Sequence, residues 1–277
     1  MKTWDERVKE VQEKCKLVRR YAFEMTVEVE GGVHFGPAYS LIDIVGALYF
    51  DIMKFDPQNP TWEDRDRFIL SKGHGCAGLY PALALAGFFP LEDLKKYGEH
   101  ASFLGMQPEM SVEHGIEAST GSLGQGISIG AGVALAGKID KKSYRTFVLV
   151  GNGECNEGQV WECALASAQY GLDNLVVIVD DNGMQCDHES RTICDMGNFA
   201  DKWRAFGWEV EEIDGHNIEQ LLTVLSDKRM PKNKPLVVIA KTVKGKGVSF
   251  FEDNNDWHHT HFVTKEMWEA AKADLMS

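Results

Sequence analysis

Hydrophobic and polar positions follow two periods along this chain. Over residues 4–29, charged side chains surround an apolar stripe of Val8, Val11, Cys15 and Val18, which predicts an amphipathic helix. A second helix is expected around Leu41 to Met53. Thr146 to Val150 and Leu175 to Val179 do not alternate; these short, mostly β-branched runs read as parallel strands buried on both faces. Between them, Glu157 to Gly171 returns to helical spacing. Ile127 to Ala136, rich in small residues, predicts a helix able to pack closely on a sheet or on a partner. Trp208 to Ile213 and Leu236 to Ala240 give two later strands, with Asp214, Gly215, His216 and Asn217 as the turn that ends the first. From Asn182 to about Asp201 the periodicity is weak, as in a segment that wraps a ligand or a subunit contact. Together these elements predict an α/β fold: a doubly wound, mostly parallel sheet with helices on both faces. With no internal repeat, low-complexity tract or clear linker, residues 1–277 read as a single domain.

The two buried strands end in residues with chemistry. After Val150, the turn Gly151-Asn152-Gly153 lets backbone N–H groups approach an anion. After Val179 the chain continues Asp180, Asp181, Asn182, Gly183. Mg²⁺ prefers hard oxygen ligands and usually takes one or two from protein, the rest from phosphate and water. Asn152 and Asn182, thirty positions apart, could supply that pair. His74 follows Gly73 in a loop after an apolar strand, where ligands collect in α/β sheets. A GxG turn with a strand-terminal Asn also closes ordinary βα units, so its neighbours decide its meaning.

Five segments, in order, resemble the N-terminal part of transketolase. VHFGPAYSLIDIVGALYF brings His34, Ser40 and Asp43 into register with the family's first histidine segment. DRFILSKGHGCAGLYPALA puts Lys72, Gly73 and His74 on the SKGH motif. GIEASTGSLGQGISIGAGVALAGK is close to the family's loop and helix beginning with Gly121, Ser122 and Leu123. The GNG turn followed by Asn182 resembles the thiamine diphosphate signature, and KTVKGKGVSFFEDNNDWHH resembles the segment carrying another active-site histidine, here His258.

The resemblance implies the diphosphate-binding domain of the thiamine-diphosphate-binding fold. It implies Mg²⁺ or Ca²⁺ on Asn152, Asn182 and the Met184 carbonyl, and cofactor contacts from His74, Gly121, Ser122, Leu123, Gly153, Glu154, Asn182 and His258. His34, His74 and His258 would act at the reacting centre, and His34, Gln107 and His258 would meet the sugar. Glu157 and Glu162 would lie at a subunit contact, with a solvated helix face as the alternative for Glu162. His259 and His261 crowd the loop of His258, and His216 reads as structural. Lys244 and Lys246 bracket Gly245, either as a clamp on a sugar phosphate or as a solvated turn.

Two departures bear on chemistry. Asn152 stands where the family has Asp; an amide oxygen still ligates a hard cation but removes one negative charge and should weaken metal binding. Gln107 stands where the family has a histidine; it can hydrogen-bond a hydroxyl but cannot shuttle a proton near neutral pH. Phe35 and Pro37 also replace the usual Pro and Gly beside His34. A specialised ketose, such as a modified or sulfonated sugar, is therefore open as substrate.

The implied reaction is ketol transfer, in which a two-carbon unit passes from a ketose or ketose phosphate to an aldose. A complete transketolase carries two further domains, one with the glutamate that activates the cofactor. The chain is therefore expected to be an N-terminal subunit that works with a C-terminal transketolase subunit carrying the pyrimidine-binding and C-terminal domains, in a heterotetramer. The alternatives are a thiamine-diphosphate-dependent 2-oxo acid decarboxylase, a 1-deoxyxylulose-5-phosphate synthase-like enzyme, or a non-catalytic partner subunit.

Composition narrows the partners. A net charge of −13 argues against nucleic acid and requires an anion site to gather its positive groups locally. Six cysteines without a CxxC pair, and no signal-like start, lead to the expectation of a reducing, cytoplasmic location. No apolar run is expected to reach the ~18 residues of a membrane span.

Overall fold

Among the described residues, five parallel strands in the order β1-β2-β3-β5-β4 carry the fold. They are β1 (Arg67–Leu70), β2 (Thr146–Gly151), β3 (Leu175–Asp181), β4 (Glu209–Asp214) and β5 (Leu236–Lys241). The computed structural model describes residues 2–26, 29, 32–259 and 263–276. Its helices are α1 (Trp4–Thr26), α2 (Phe35–Ser40), α3 (Ile42–Ala47), α4 (Cys76–Ala86), α5 (Gln125–Ile139), α6 (Gly158–Gln169), α7 (Ser190–Cys194), α8 (Phe199–Ala205), α9 (Ile218–Val224) and α10 (Lys265–Met276).

Alternate strand residues point to opposite faces, and the sheet divides the apolar core accordingly. Phe68, Leu70, Phe147, Leu149, Ile178 and Val238 share one core with residues of α1 to α4 and α9. Ile69, Val148, Val150, Val177, Val179 and Ile239 share the other with residues of α5, α6 and α8. Burial on both faces explains why β2, β3 and β5 read as unbroken apolar runs rather than alternating ones. The strand ends are level. Gly151 pairs with Asp180, and Asp181 with Lys241, so the loops after β2, β3 and β5 emerge side by side.

Four local expectations change. The helical run expected at 41–53 begins earlier, with α2, and α3 continues as a π-turn over Leu48–Ile52. Phe35–Ile52 is by length and composition apolar enough to cross a membrane, contrary to expectation; 83% of that window is buried in the fold, as in a core helix. The weakly periodic stretch after Asn182 contains α7 and α8. Each is too short to display a helical period, although Ala200 and Trp203 of α8 are buried. The first helix ends at Thr26, and residues 27 and 28 of its expected span lie outside the described residues.

Candidate active site

The loops after β1, β2, β3 and β5 enclose a cavity of about 420 Å³. Its walls bring together His34, His74, Gln107, Gly121, Leu123, Asn152, Gly153, Glu154, Glu157, Asn182, Met184 and His258, residues far apart in the chain. Ser122 lies between two of them but is exposed and does not line it. Glu162 lies on the exposed face of α6, away from the cavity.

Histidines form one side. His34 precedes α2, and His74 sits in the 3₁₀ turn Gly73–Gly75 that follows β1. The His34 ring lies 5.3 Å from His74, 5.6 Å from His258 and 4.5 Å from His259, and His74 lies 5.6 Å from His258. His259 thus joins the cluster, while His261 lies outside the described residues. Burial and the neighbouring His259 bring His34 down to about 4. Burial, then Lys244, His34, Lys72 and His259, bring His258 down to about 3. His74 falls well below its ordinary value through burial, then Lys72 and the other imidazoles. Near neutral pH these rings are uncharged, each with one N–H to donate and one nitrogen to accept. The buried His258 Nδ1 has no hydrogen-bond partner among the described residues, which suits a ring that meets a ligand.

The opposite side presents amide and carbonyl oxygens. Asn152 is 3% exposed, and its Nδ2 donates to Ser190 Oγ at 2.6 Å. Asn182 Oδ1 accepts the Met184 N–H at 3.0 Å, a turn that holds Asn182 and Met184 together on the cavity wall. Among the described residues no group of three or more His, Cys, Asp or Glu side chains is arranged to hold a metal. A hard cation here would take neutral oxygens from Asn152, Asn182 and Met184, with an anionic ligand completing the shell. The Asn156 Nδ2, also buried on this wall, lacks a partner among the described residues, while its Oδ1 accepts from Gln185 Nε2 at 2.7 Å.

Glu154 lines the cavity, and its carboxylate is held within the fold. Its carboxylate accepts from Ser71 Oγ at 2.5 Å, Gly124 N at 2.8 Å and Gly151 N at 3.0 Å. It ties together the loops after β1 and β2 and the start of α5, and burial pushes its pKa up despite those bonds.

Sequence reasoning undervalued the cations. Lys72 is 2% exposed and forms an ion pair with Asp180, which is 0% exposed and also accepts from Ser40 Oγ at 2.6 Å and from Thr242. Lys72 stood in a motif but Asp180 read only as the end of a strand. Lys244 is not a solvated turn residue: it is 1% exposed, lines the cavity, and donates to Gln185 O at 2.8 Å and Asn255 Oδ1 at 2.6 Å. Burial, with Lys72 nearby, lowers it to about 8 although Cys186 opposes the shift. Lys246 instead pairs with Glu252 at 3.2 Å and stays out of the cavity. Lys244 therefore brings an ammonium into the cavity of a chain whose net charge is −13, with Lys72 beside it held by Asp180.

Gln107 lines the same cavity and packs over two glycines. A Cβ at Gly73 would fall 2.8 Å from Gln107 Oε1, and one at Gly121 3.0 Å from it. Gly121 also has φ +143, so side chains are excluded there twice over.

The family described as transketolase, thiamine diphosphate binding domain, matches residues 11–274. The chain is 40% identical over 266 residues to the 6-deoxy-6-sulfo-D-fructose transketolase subunit of Clostridium sp. (strain MSTE9), covering 96% of each. It is 40% identical over 257 residues to an apulose-4-phosphate transketolase subunit of Phocaeicola vulgatus, covering 93% of this chain and 90% of that one. The transketolase structure from Campylobacter jejuni superposes with a TM-score of 0.85 at 27% identity; the match covers all of this chain and 43% of that one. Matched in sequence almost from end to end, and with the motif residues gathered on one cavity, the chain belongs to the transketolase family through its thiamine diphosphate binding domain.

Proposed function

We propose that this chain is the N-terminal subunit of a two-chain transketolase, transferring a two-carbon ketol unit from a ketose donor to an aldose acceptor. The convergence of His34, His74 and His258 with Asn152, Asn182 and Met184 around one cavity carries the reading. When bound, thiamine diphosphate supplies the nucleophilic carbon that cleaves and rejoins the sugar's carbon–carbon bond. Asn152, Asn182 and the Met184 carbonyl hold Mg²⁺ or Ca²⁺. Gly153 N–H and the ammonium group of Lys244 meet the diphosphate. Gly121 and Leu123 approach the cofactor ring through backbone. The neutral imidazoles of His34, His74 and His258 hydrogen-bond the sugar hydroxyls and hold protons at the reacting carbonyl.

The partner is a separate chain carrying the pyrimidine-binding and C-terminal domains, joined in a heterotetramer. Two relatives named as transketolase subunits, matched over 96% and 90% of their length, support this assembly. An exposed apolar face also supports it: Ile129 on α5 is 40% exposed and Leu165 on α6 is 61% exposed, and nothing lies within 4 Å of a Cβ at Gly132 or Gly158. Glu162 lies beside Leu165 on that helix, and Glu157 reaches the cavity from its start. Gln107 in the cavity favours a ketose other than the ordinary pentose phosphates, in keeping with the two sugars in the relatives' names. Six unpaired thiols suit a cytoplasmic setting.

Calorimetric titration of thiamine diphosphate with Mg²⁺ or Ca²⁺ into the chain co-purified with its partner, followed by a panel of ketose and 2-oxo acid donors, tests the reading. Metal-dependent binding with turnover of a ketose is the expected result. Turnover of 2-oxo acids alone would favour the decarboxylase or synthase alternative. No binding by the assembled complex would leave a non-catalytic subunit.

A further inference from the structure

We infer that His216 is a positioning residue for Lys244, acting with Asp43 and Arg19 to fix the loop that carries the Lys244 ammonium into the cavity. The inference rests on the anion-binding role proposed above for Lys244. His216 Nε2 accepts the Val243 N–H at 2.8 Å. A backbone amide can only donate, so the ring proton resides on Nδ1, which donates to Asp43 Oδ2 at 2.8 Å. The same carboxylate pairs with Arg19. Arg19 Nε reaches the loop from the other side, donating to Lys246 O at 3.2 Å. One charged network therefore holds a backbone donor just before Lys244 and a backbone acceptor just after it.

The network has no direct contact with the cavity. Arg19 comes from α1, Asp43 from α3 and His216 from the turn after β4, and none of them lines the site. Their side chains are 12%, 9% and 13% exposed. Burial pushes the Asp43 carboxyl up, but the Arg19 charge and the bonds from His216 and Arg19 outweigh it and bring it down to about 2. Packing α1 on α3 needs no such group, since apolar residues would join them without desolvating charges. A directional tie to a loop does need it.

The loop has little slack where Lys244 enters. A Cβ on Gly36 would fall 2.9 Å from Lys244 Cε, and Gly245 N donates to Gly36 O at 3.1 Å. Two of the three ammonium N–H groups are taken by Gln185 O and Asn255 Oδ1, so a shift of the loop moves the third away from any anion in the cavity.

The test is calorimetric binding of inorganic pyrophosphate with Mg²⁺ to the complex with the partner subunit, with melting temperature as a check on folding. Lys244→Met should weaken binding by about 10-fold or more and His216→Ala by about 5-fold, while the double variant binds no more weakly than Lys244→Met alone. His216→Gln, which keeps an acceptor at the reach of Nε2, should recover most of the affinity. His216→Asn, which keeps only the donor to Asp43, should not. If His216→Ala weakens binding equally with and without Lys244→Met, or if Asn rescues as well as Gln, the positioning role is overturned. If Lys244→Met leaves pyrophosphate binding unchanged, the anion role of Lys244 fails and the inference falls with it.

Discussion

Asn152→Asp restores a charge that the family's metal loop ordinarily carries, and the structure sets two opposing signs for its effect. The side chain is 3% exposed, with Nδ2 bonded to Ser190 Oγ at 2.6 Å. A carboxylate keeps that contact, because the serine hydroxyl can turn and donate. Without metal, the new charge is buried at strand ends that already hold Glu154, Asp180 and Asp181, each 8% exposed or less. Lys72 and Lys241 are engaged with Asp180 and Asp181, so neither is free to neutralise it. The metal-free protein should therefore lose about 1–3 kcal/mol, the cost of an under-satisfied buried polar group. For a domain of this size that lowers the melting temperature by roughly 2–10 °C. With a divalent cation the sign reverses. Each pair of unit charges about 4 Å apart gains about 4 kcal/mol at an effective dielectric constant near 20, and desolvation removes much of it. A net gain of about 1.4–2.8 kcal/mol corresponds to roughly 10–100-fold tighter binding. Titration of Ca²⁺ or Mn²⁺ in the presence of thiamine diphosphate, with melting curves with and without metal, measures both effects. Unchanged or weaker metal affinity in the variant would refute the assignment of Asn152 as a ligand.

Three further outcomes follow from particular contacts. Lys72→Met leaves Asp180 buried without its cation and should destabilise the fold by about 3–5 kcal/mol, read from denaturant melts; a loss below about 1 kcal/mol would contradict a buried ion pair. His34 and His258, at about 4 and about 3 in the folded chain, lie below their ordinary 6.5, so the unfolded chain binds more protons between these values. Stability should be fully present above pH 6.5 and fall as pH drops toward 5, with a shallower fall in His34→Asn/His258→Asn; equal slopes would rule out that origin. Gly126→Ala places a Cβ 2.7 Å from Ser71 Cα and should cost about 1–3 kcal/mol by overpacking, with weaker cofactor binding as the Ser71–Glu154 bond shifts; calorimetry and thermal melts check both.

The sequence alone showed the central buried strands and the polar residues at their ends. Continuous apolar runs mean strands buried on both faces, a property of the residues themselves, and β2, β3 and β5 are those runs. The GNG turn, His74 and Asn182 were legible because each follows such a run within a few positions, where a parallel sheet collects its ligand contacts. Only the tertiary structure decided between residues of one type in one loop. Lys244 turns into the cavity and Lys246 onto Glu252 because Gly36 and Gln185 lie against one and not the other, contacts that span 208 and 59 positions of chain. Asp180 gave no local sign of its role, since its partners Ser40, Lys72 and Thr242 meet it only when the strand ends align. The Glu154 carboxylate joins loops that spacing cannot show to be adjacent. Periodicity reports which face of an element is buried; which buried charges meet depends on the register between elements, and that is set by packing across the whole sheet.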